Sequence, residues 1–186
     1  NGPSTVAAFI GAPISAEGAS VVPGDEYWPM VREICDKYGV LIIADEVVTG
    51  FGRTGKMFGI EHSGVIPDLM SVAKGLTSTY LPMGAVIATR EVAEVFAGEE
   101  NVFPQAVTFG GHPVSATAAL KNIEIIERDK LVENSAKTGE YFLNQLQELK
   151  KEHKIIGEEL IQMGCIKIER DVPISPKRHS VQEDPW

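Results

Sequence analysis

The stretch VLIIADEVVTG, residues 40–50, decides the fold. Val40, Leu41, Ile42, Ile43 and Ala44 form an unbroken apolar run, the pattern of a parallel strand covered on both faces. Upstream, Val6 to Ile10 is a second short apolar, β-branched run that ends in Gly11, Ala12 and Pro13 and feeds a loop reaching to about Gly24. Between the two runs, Trp28, Val31, Ile34, Cys35 and Tyr38 recur at spacings of three and four from Asp25 to Tyr38, an amphipathic helix that Gly39 stops. Strand, helix, strand is a βαβ unit. Downstream, Asp68 to Val72 and Ala85 to Thr89 extend the sheet, and Arg90 to Phe96 reads as a short helix with Val92, Val95 and Phe96 on one face. After a polar loop from about Gly98 to Gln105, Pro113 is placed to open a helix through Ala116 to Ile126. Another helix, about Leu131 to Lys151, carries Leu143, Leu146 and Leu149. The fold class expected is α/β, a doubly wound and mostly parallel sheet followed by helices. From about Ile155 the periodicity fades and Pro173 and Pro176 lead to the polar end at Trp186, so this tail is expected to lie outside the packed core.

Composition narrows the function classes. The 186 residues are 44% hydrophobic and 23% charged, an ordinary globular balance, and 17 basic against 26 acidic side chains give a net charge of −9. An acidic surface repels nucleic acid phosphates and anionic membranes, and no apolar run is long enough to span a bilayer. Cys35 and Cys165 sit in no metal-ligand or disulfide spacing, which points to a cytoplasmic setting without a structural metal. The chain starts at Asn1 with no leader and reads as the interior of something longer.

Three groups of residues carry possible chemistry. Asp45 stands at the carboxyl end of the apolar strand, where ligands of open α/β sheets bind; there it can face a protonated pyridine nitrogen, or it can cap a turn or pair with Arg53. Lys74 follows the Asp68 to Val72 strand and precedes Gly75. Partial burial there would lower its pKa and make it a nucleophile and general base, with Gly75 letting backbone approach a ligand; the alternative is a strand-end lysine that snorkels to water. Thr108, Gly110 and Gly111 lie before the helix start at Pro113, an arrangement that can hold a phosphate or be an ordinary cap and turn. Gly50, Gly52 and Gly55 match G-x-G-x-x-G after a strand, half of a dinucleotide fingerprint. The other half fails, because Lys56 to Gly64 has no helical face, and the segment reads as a turn-rich loop with Arg53 in a structural role.

In order along the chain, ADEVVTGFGRTGKMFG (44–59), PDLMSVAKGLTSTYLPMGAVIAT (67–89) and TFGGHPVSATAALKNIEIIE (108–127) resemble the successive cofactor-site blocks of class III, fold-type I aminotransferases dependent on pyridoxal phosphate (PLP). The likeness runs from about Val6 to Leu149, and past Gly157 the chain departs from the glycine-rich strand usual there. The resemblance implies that residues 1–127 are part of the PLP-binding large domain, 128–154 the helix entering a truncated C-terminal small domain, and 155–186 an atypical tail. It implies that Asp45 binds the pyridine nitrogen, Val47 packs on one ring face, Lys74 carries the cofactor and moves the proton, and Thr108 reaches the phosphate in the neighbouring subunit of a homodimer. The reaction implied is transfer of an amino group from an amine or ω-amino acid to a keto acid. Ala12 and Val48 replace a glutamate and a glutamine common in the family; the second change is similar to the ω-amino acid and taurine:pyruvate branch, making pyruvate the expected acceptor. The family's phosphate loop and ring-stacking aromatic are expected before Asn1, and its substrate-carboxylate arginine after Trp186. Two other readings stay open: a non-catalytic fragment that keeps the fold, and a dinucleotide-dependent oxidoreductase.

Overall fold

The computed structural model describes residues 2–15, 21–98, 100–105 and 107–153, together with the backbone of 159–162 and 165–168. Strands β1 (Ala8–Gly11), β2 (Leu41–Asp45), β3 (Leu69–Val72) and β4 (Ala85–Ala88) form one sheet in that order. β1, β2 and β3 are parallel, with Gly11 beside Ala44 and Asp45 beside Ser71, whereas β4 runs antiparallel to β3 with Val72 opposite Ala85. The reversal follows from the connection: residues 73–84 contain only a short 3-10 turn, Lys74–Leu76, and no helix to carry the chain back to the far end of the sheet. The first crossover is the expected helix, α1 (Tyr27–Tyr38), closed by Gly39 in the left-handed conformation (φ 64°).

Strand alternation splits the sheet into two unequal faces. Phe9, Ile42, Ala44, Met70 and Val72 share one. Trp28 and Cys35 of α1 pack against its first half with Val40, Ile60 and Val65, and Ala119 and Ile123 of α3 (Pro113–Arg128) pack against Val72 and Leu76. Ile42 and Ala44 are completely buried, and each fully covered Val, Leu or Ile contributes about 1.5–3 kcal/mol. On the opposite face Ile10, Ile43, Asp45, Leu69, Ser71, Val86 and Ala88 alternate with them, and there Ile10 and Val86 remain 62% and 66% exposed. The short α2 (Arg90–Glu94) stands beside that face, so among the described residues only one face carries a helical layer.

α4 (Leu131–Glu152) follows α3 after one turn. Beyond it, Glu159–Gln162 (β5) and Cys165–Ile168 (β6) pair as an antiparallel hairpin with β5 against α4. The tail reading from Ile155 contained no strand; four-residue runs are too short for a period of two to declare itself. The rest of 155–186 lies outside the described residues.

Candidate active site

The carboxyl ends of β2 and β3 carry the two residues with the strongest chemical reading. Asp45 is the last residue of β2 and its side chain lies on the less covered face. Its Oδ1 accepts hydrogen bonds from the Val47 backbone N–H at 3.1 Å and the Ser71 hydroxyl at 3.2 Å. The turn-capping reading is therefore realised, and pairing with Arg53 is not: no ion pair joins them. Asp45 Oδ2 accepts from no described residue.

Lys74 begins the 3-10 turn after β3 at φ 38°, an uncommon conformation for a residue with a side chain. It is exposed rather than partly buried, so this chain alone does not supply the desolvation expected of it. The turn is held from α3. Asn122, 9% exposed, donates from its amide to the carbonyls of Gly75 (2.8 Å) and Leu76 (3.1 Å) and accepts from the Ser78 hydroxyl at 2.8 Å. Gly75 lines the same hollow as Lys74. A side chain there would meet Phe51 Cβ at 3.0 Å and the Gly50 carbonyl at 3.2 Å, so its smallness serves the packing of the 50–55 loop.

That loop is no dinucleotide cradle, because no α-helix opens among its glycines. The chain on either side of it is tied together by Glu46, which is completely buried and which sequence reasoning passed over. Its carboxyl oxygens accept from the backbone N–H groups of Gly59 (2.9 Å) and Ile60 (2.7 Å) and from the Thr49 hydroxyl. From the side it is clamped by α4: Gly55 has φ 77°, and a Cβ on it would stand 2.8 Å from the Ala136 Cβ, so only glycine fits both the turn and the helix. The local pattern that flags Glu46 is slight, a second carboxylate at the end of a strand whose alternation turns it toward the core.

Three hollows meet around the strand ends. Val47, Ala73, Leu69 and Ala88 line an apolar one of about 1030 Å³ that also touches Phe103 and Gln105. Thr108, exposed and with no described partner for its hydroxyl, lines an adjoining hollow of about 510 Å³ that shares Phe103 and Gln105. Lys74 lines a third, about 430 Å³, with Phe51, Arg53, Ser78, Thr79 and Ser135. The structure thus brings Val47 and Thr108 to neighbouring hollows and sets Ala73 and Lys74 as the partition between these and the third. Thr108 lies in a turn closed by Gly110 N–H to the Val107 carbonyl and does not cap α3, whose N-cap His112 makes no side-chain bond.

The family model for class III aminotransferases matches residues 1–168. The chain belongs to that family. The match carries the likeness past Leu149 and Gly157 to the end of β6, so the departure read there from the motifs is corrected: the hairpin is within the family's pattern. Among the chain's relatives, the putrescine–pyruvate aminotransferase of Pseudomonas aeruginosa is 48% identical over 158 residues, 84% of this chain and 34% of that protein. The taurine–pyruvate aminotransferase of Bilophila wadsworthia is 44% identical over 84% of this chain and 35% of its own length. The crystal structure of an (S)-enantioselective omega-transaminase from Thermomicrobium roseum superposes with a TM-score of 0.84 at 44% identity, covering 91% of this chain and 38% of that one. The chain spans about a third of the length of the curated relatives it matches.

Proposed function

We propose that the protein containing this chain transfers an amino group from an amine or ω-amino acid to a keto acid, with pyruvate as acceptor, using PLP in a cytoplasmic homodimer. The observation that carries this reading is the pair of strand ends: Asp45 and Lys74 follow adjacent parallel strands, and the Ser71 hydroxyl, three residues before Lys74, bonds to Asp45 at 3.2 Å. The residues fit the cofactor. Asp45 has one oxygen fixed by Val47 and Ser71 and the other without a partner among the described residues, as a carboxylate needs to be to meet a ring N–H, while the Lys74 side-chain amine makes no hydrogen bond or ion pair among the described residues. Val47 and Ala73 supply an apolar wall on which a planar ring can rest.

When bound, PLP supplies a cationic conjugated ring that stores the electron pair released as the substrate C–H bond breaks. Asp45 keeps the proton on the ring nitrogen, so the ring retains its charge. Val47 packs on a ring face. The Lys74 amine holds the cofactor covalently and then moves the proton to and from the substrate carbon. Thr108 donates its hydroxyl to the phosphate of the partner's site. The pyruvate-linked relatives and the aliphatic Val48 support the acceptor.

Borohydride fixation of the cofactor in the full-length protein, followed by peptide mass mapping, is expected to label Lys74. A label on Lys56 or any other lysine in active enzyme would remove Lys74 from the role. Asp45→Asn is expected to keep the fold and lose at least about a hundredfold in rate, since a neutral amide no longer favours the protonated ring.

A further inference from the structure

The buried face of α3 is made of Ser115, Ala119, Asn122 and Ile126, and the amide in its middle calls for a reason. Asparagine forms helix less readily than alanine or leucine, and a buried amide is costly unless its hydrogen bonds are made. Asn122 commits its whole amide to one short segment. Both N–H donors go to the Gly75 and Leu76 carbonyls, at 2.8 and 3.1 Å, and the oxygen accepts from the Ser78 hydroxyl at 2.8 Å. Among the described residues no side chain of another element bonds to residues 74–79.

The segment so held is strained. Among the described residues five non-glycine positions have positive φ, and three of them, Lys74 at 38°, Ser78 at 47° and Thr79 at 62°, fall between residues 74 and 79. Such backbone is disfavoured for any residue with a side chain, most of all for a β-branched one such as Thr79, and persists where surrounding structure holds it. The turn's own ladder holds it weakly. Leu76 N–H meets the Ala73 carbonyl at 2.8 Å, but the N–H groups of Thr77, Ser78 and Thr79 reach the Lys74, Gly75 and Lys74 carbonyls only at 3.3, 3.4 and 3.3 Å. Ala73 lines the apolar hollow with Val47 whereas Lys74 lines the neighbouring one, so the backbone at residue 74 sets the direction from which its four-carbon arm starts.

We infer that Asn122 is the positioning residue of the Lys74 amine: through Gly75, Leu76 and Ser78 it keeps the turn in the backbone conformation from which Lys74 reaches the cofactor. The inference rests on the PLP reading of the site. Asn122 lines none of the three hollows, so it acts through the turn alone. Without its bonds the turn relaxes toward ordinary negative φ, the competent conformer becomes a minority, and covalent attachment slows in proportion to its population. Attachment joins the Lys74 nitrogen to the cofactor's aldehyde carbon by a double bond and releases one water. Non-covalent affinity for the cofactor, which depends on the contacts assigned to Asp45, Val47 and Thr108, is unaffected.

The test uses the full-length protein freed of PLP. PLP is added back, and the label fixed on Lys74 by borohydride is followed over time by peptide mass mapping. Asn122→Ala is expected to slow attachment about tenfold. In a Lys74→Ala background, where PLP binds without a covalent bond, adding Asn122→Ala is expected to leave its Kd within about twofold. Thr79→Gly placed in the Asn122→Ala protein is expected to bring attachment back to within about threefold of the unaltered rate, because glycine adopts positive φ without strain. Asp68→Asn loosens the opposite end of β3 and serves as the control for lost stability; it is expected to lower the urea midpoint and leave attachment within about twofold. A Kd that rises in step with slower attachment, equal slowing by Asp68→Asn, or no recovery with Thr79→Gly would make Asn122 a merely structural residue and overturn the inference. If Asn122→Ala does not accumulate as folded protein, Ser78→Ala decides: it removes one of the three bonds and should slow attachment about threefold, and an unchanged rate would overturn the inference. An unaltered protein that takes no label on Lys74 overturns the PLP reading itself, and the inference with it.

Discussion

Asp45 and Glu46 are neighbours in sequence and opposites in role, because strand alternation sends one to each face of the sheet. Asp45 stays half-buried with an oxygen to spare; Glu46 is completely buried, with Gly59, Ile60 and Thr49 bonded to its carboxyl group. Glu46→Ala would leave two buried backbone N–H groups without an acceptor, at about 1–3 kcal/mol each, and is expected to lower stability by about 2–5 kcal/mol in urea unfolding. Glu46→Gln, which keeps one carbonyl oxygen, should lose clearly less. Equal losses for the two variants would mean that the cavity left by the side chain, rather than the hydrogen bonds, sets the cost. The position of Asp45 at a strand end was legible in the sequence because an unbroken apolar run marks a parallel strand and where it stops. Glu46 and Asn122 were not, since the backbone groups they hold lie 13 to 14 and 46 to 47 residues away and no local spacing announces them.

At the level of elements, the apolar run of β2 and the three-and-four spacing of α1, α3 and α4 were readable because burial imposes those periods directly. The antiparallel sense of β4 and the hairpin β5–β6 were not, because direction is set by what lies between strands. The joint between α1, β2 and β3 depends on a contact equally hidden from periodicity: Arg32 of α1 meets Asp68, just before β3, at 2.8 Å, and Asp68 also accepts the Ile42 N–H at 2.7 Å. Burial pushes the Asp68 carboxyl up, but the hydrogen bonds from Arg32 and Ile42 outweigh it and hold the pKa below the ordinary aspartate value. A depressed folded-state pKa gives stability that is complete above the unfolded value, about 3.9, and disappears as pH falls through the lower folded value. Urea midpoints measured from pH 6 to pH 2 should therefore fall in the acid range, and the part owed to this joint should be missing in Asp68→Asn. An unchanged acid slope in that variant would show that other carboxyl groups carry the effect.

For the whole molecule, the sheet face bearing Asp45, Leu69 and Val86 has little cover among the described residues, and Tyr80, Phe109 and Leu120 are 84%, 77% and 70% exposed. Thr108 is exposed with no partner for its hydroxyl among the described residues, and it lines a hollow other than the one that Lys74 lines. That separation gives physical content to the proposal that Thr108 serves the site of a second subunit. In a full-length dimer mixed from Thr108→Ala and Lys74→Ala subunits, a crossed arrangement builds one site from the intact Lys74 of the first chain and the intact Thr108 of the second. The other site collects both lesions. The mixed dimer should then regain about half of the unaltered rate per dimer, whereas each variant alone stays impaired. If both residues serve one site within a chain, every site in the mixture carries a lesion and no recovery appears. Subunit exchange confirmed by mass spectrometry, with activity no higher than the weighted mean of the two parents, would assign Thr108 to its own chain.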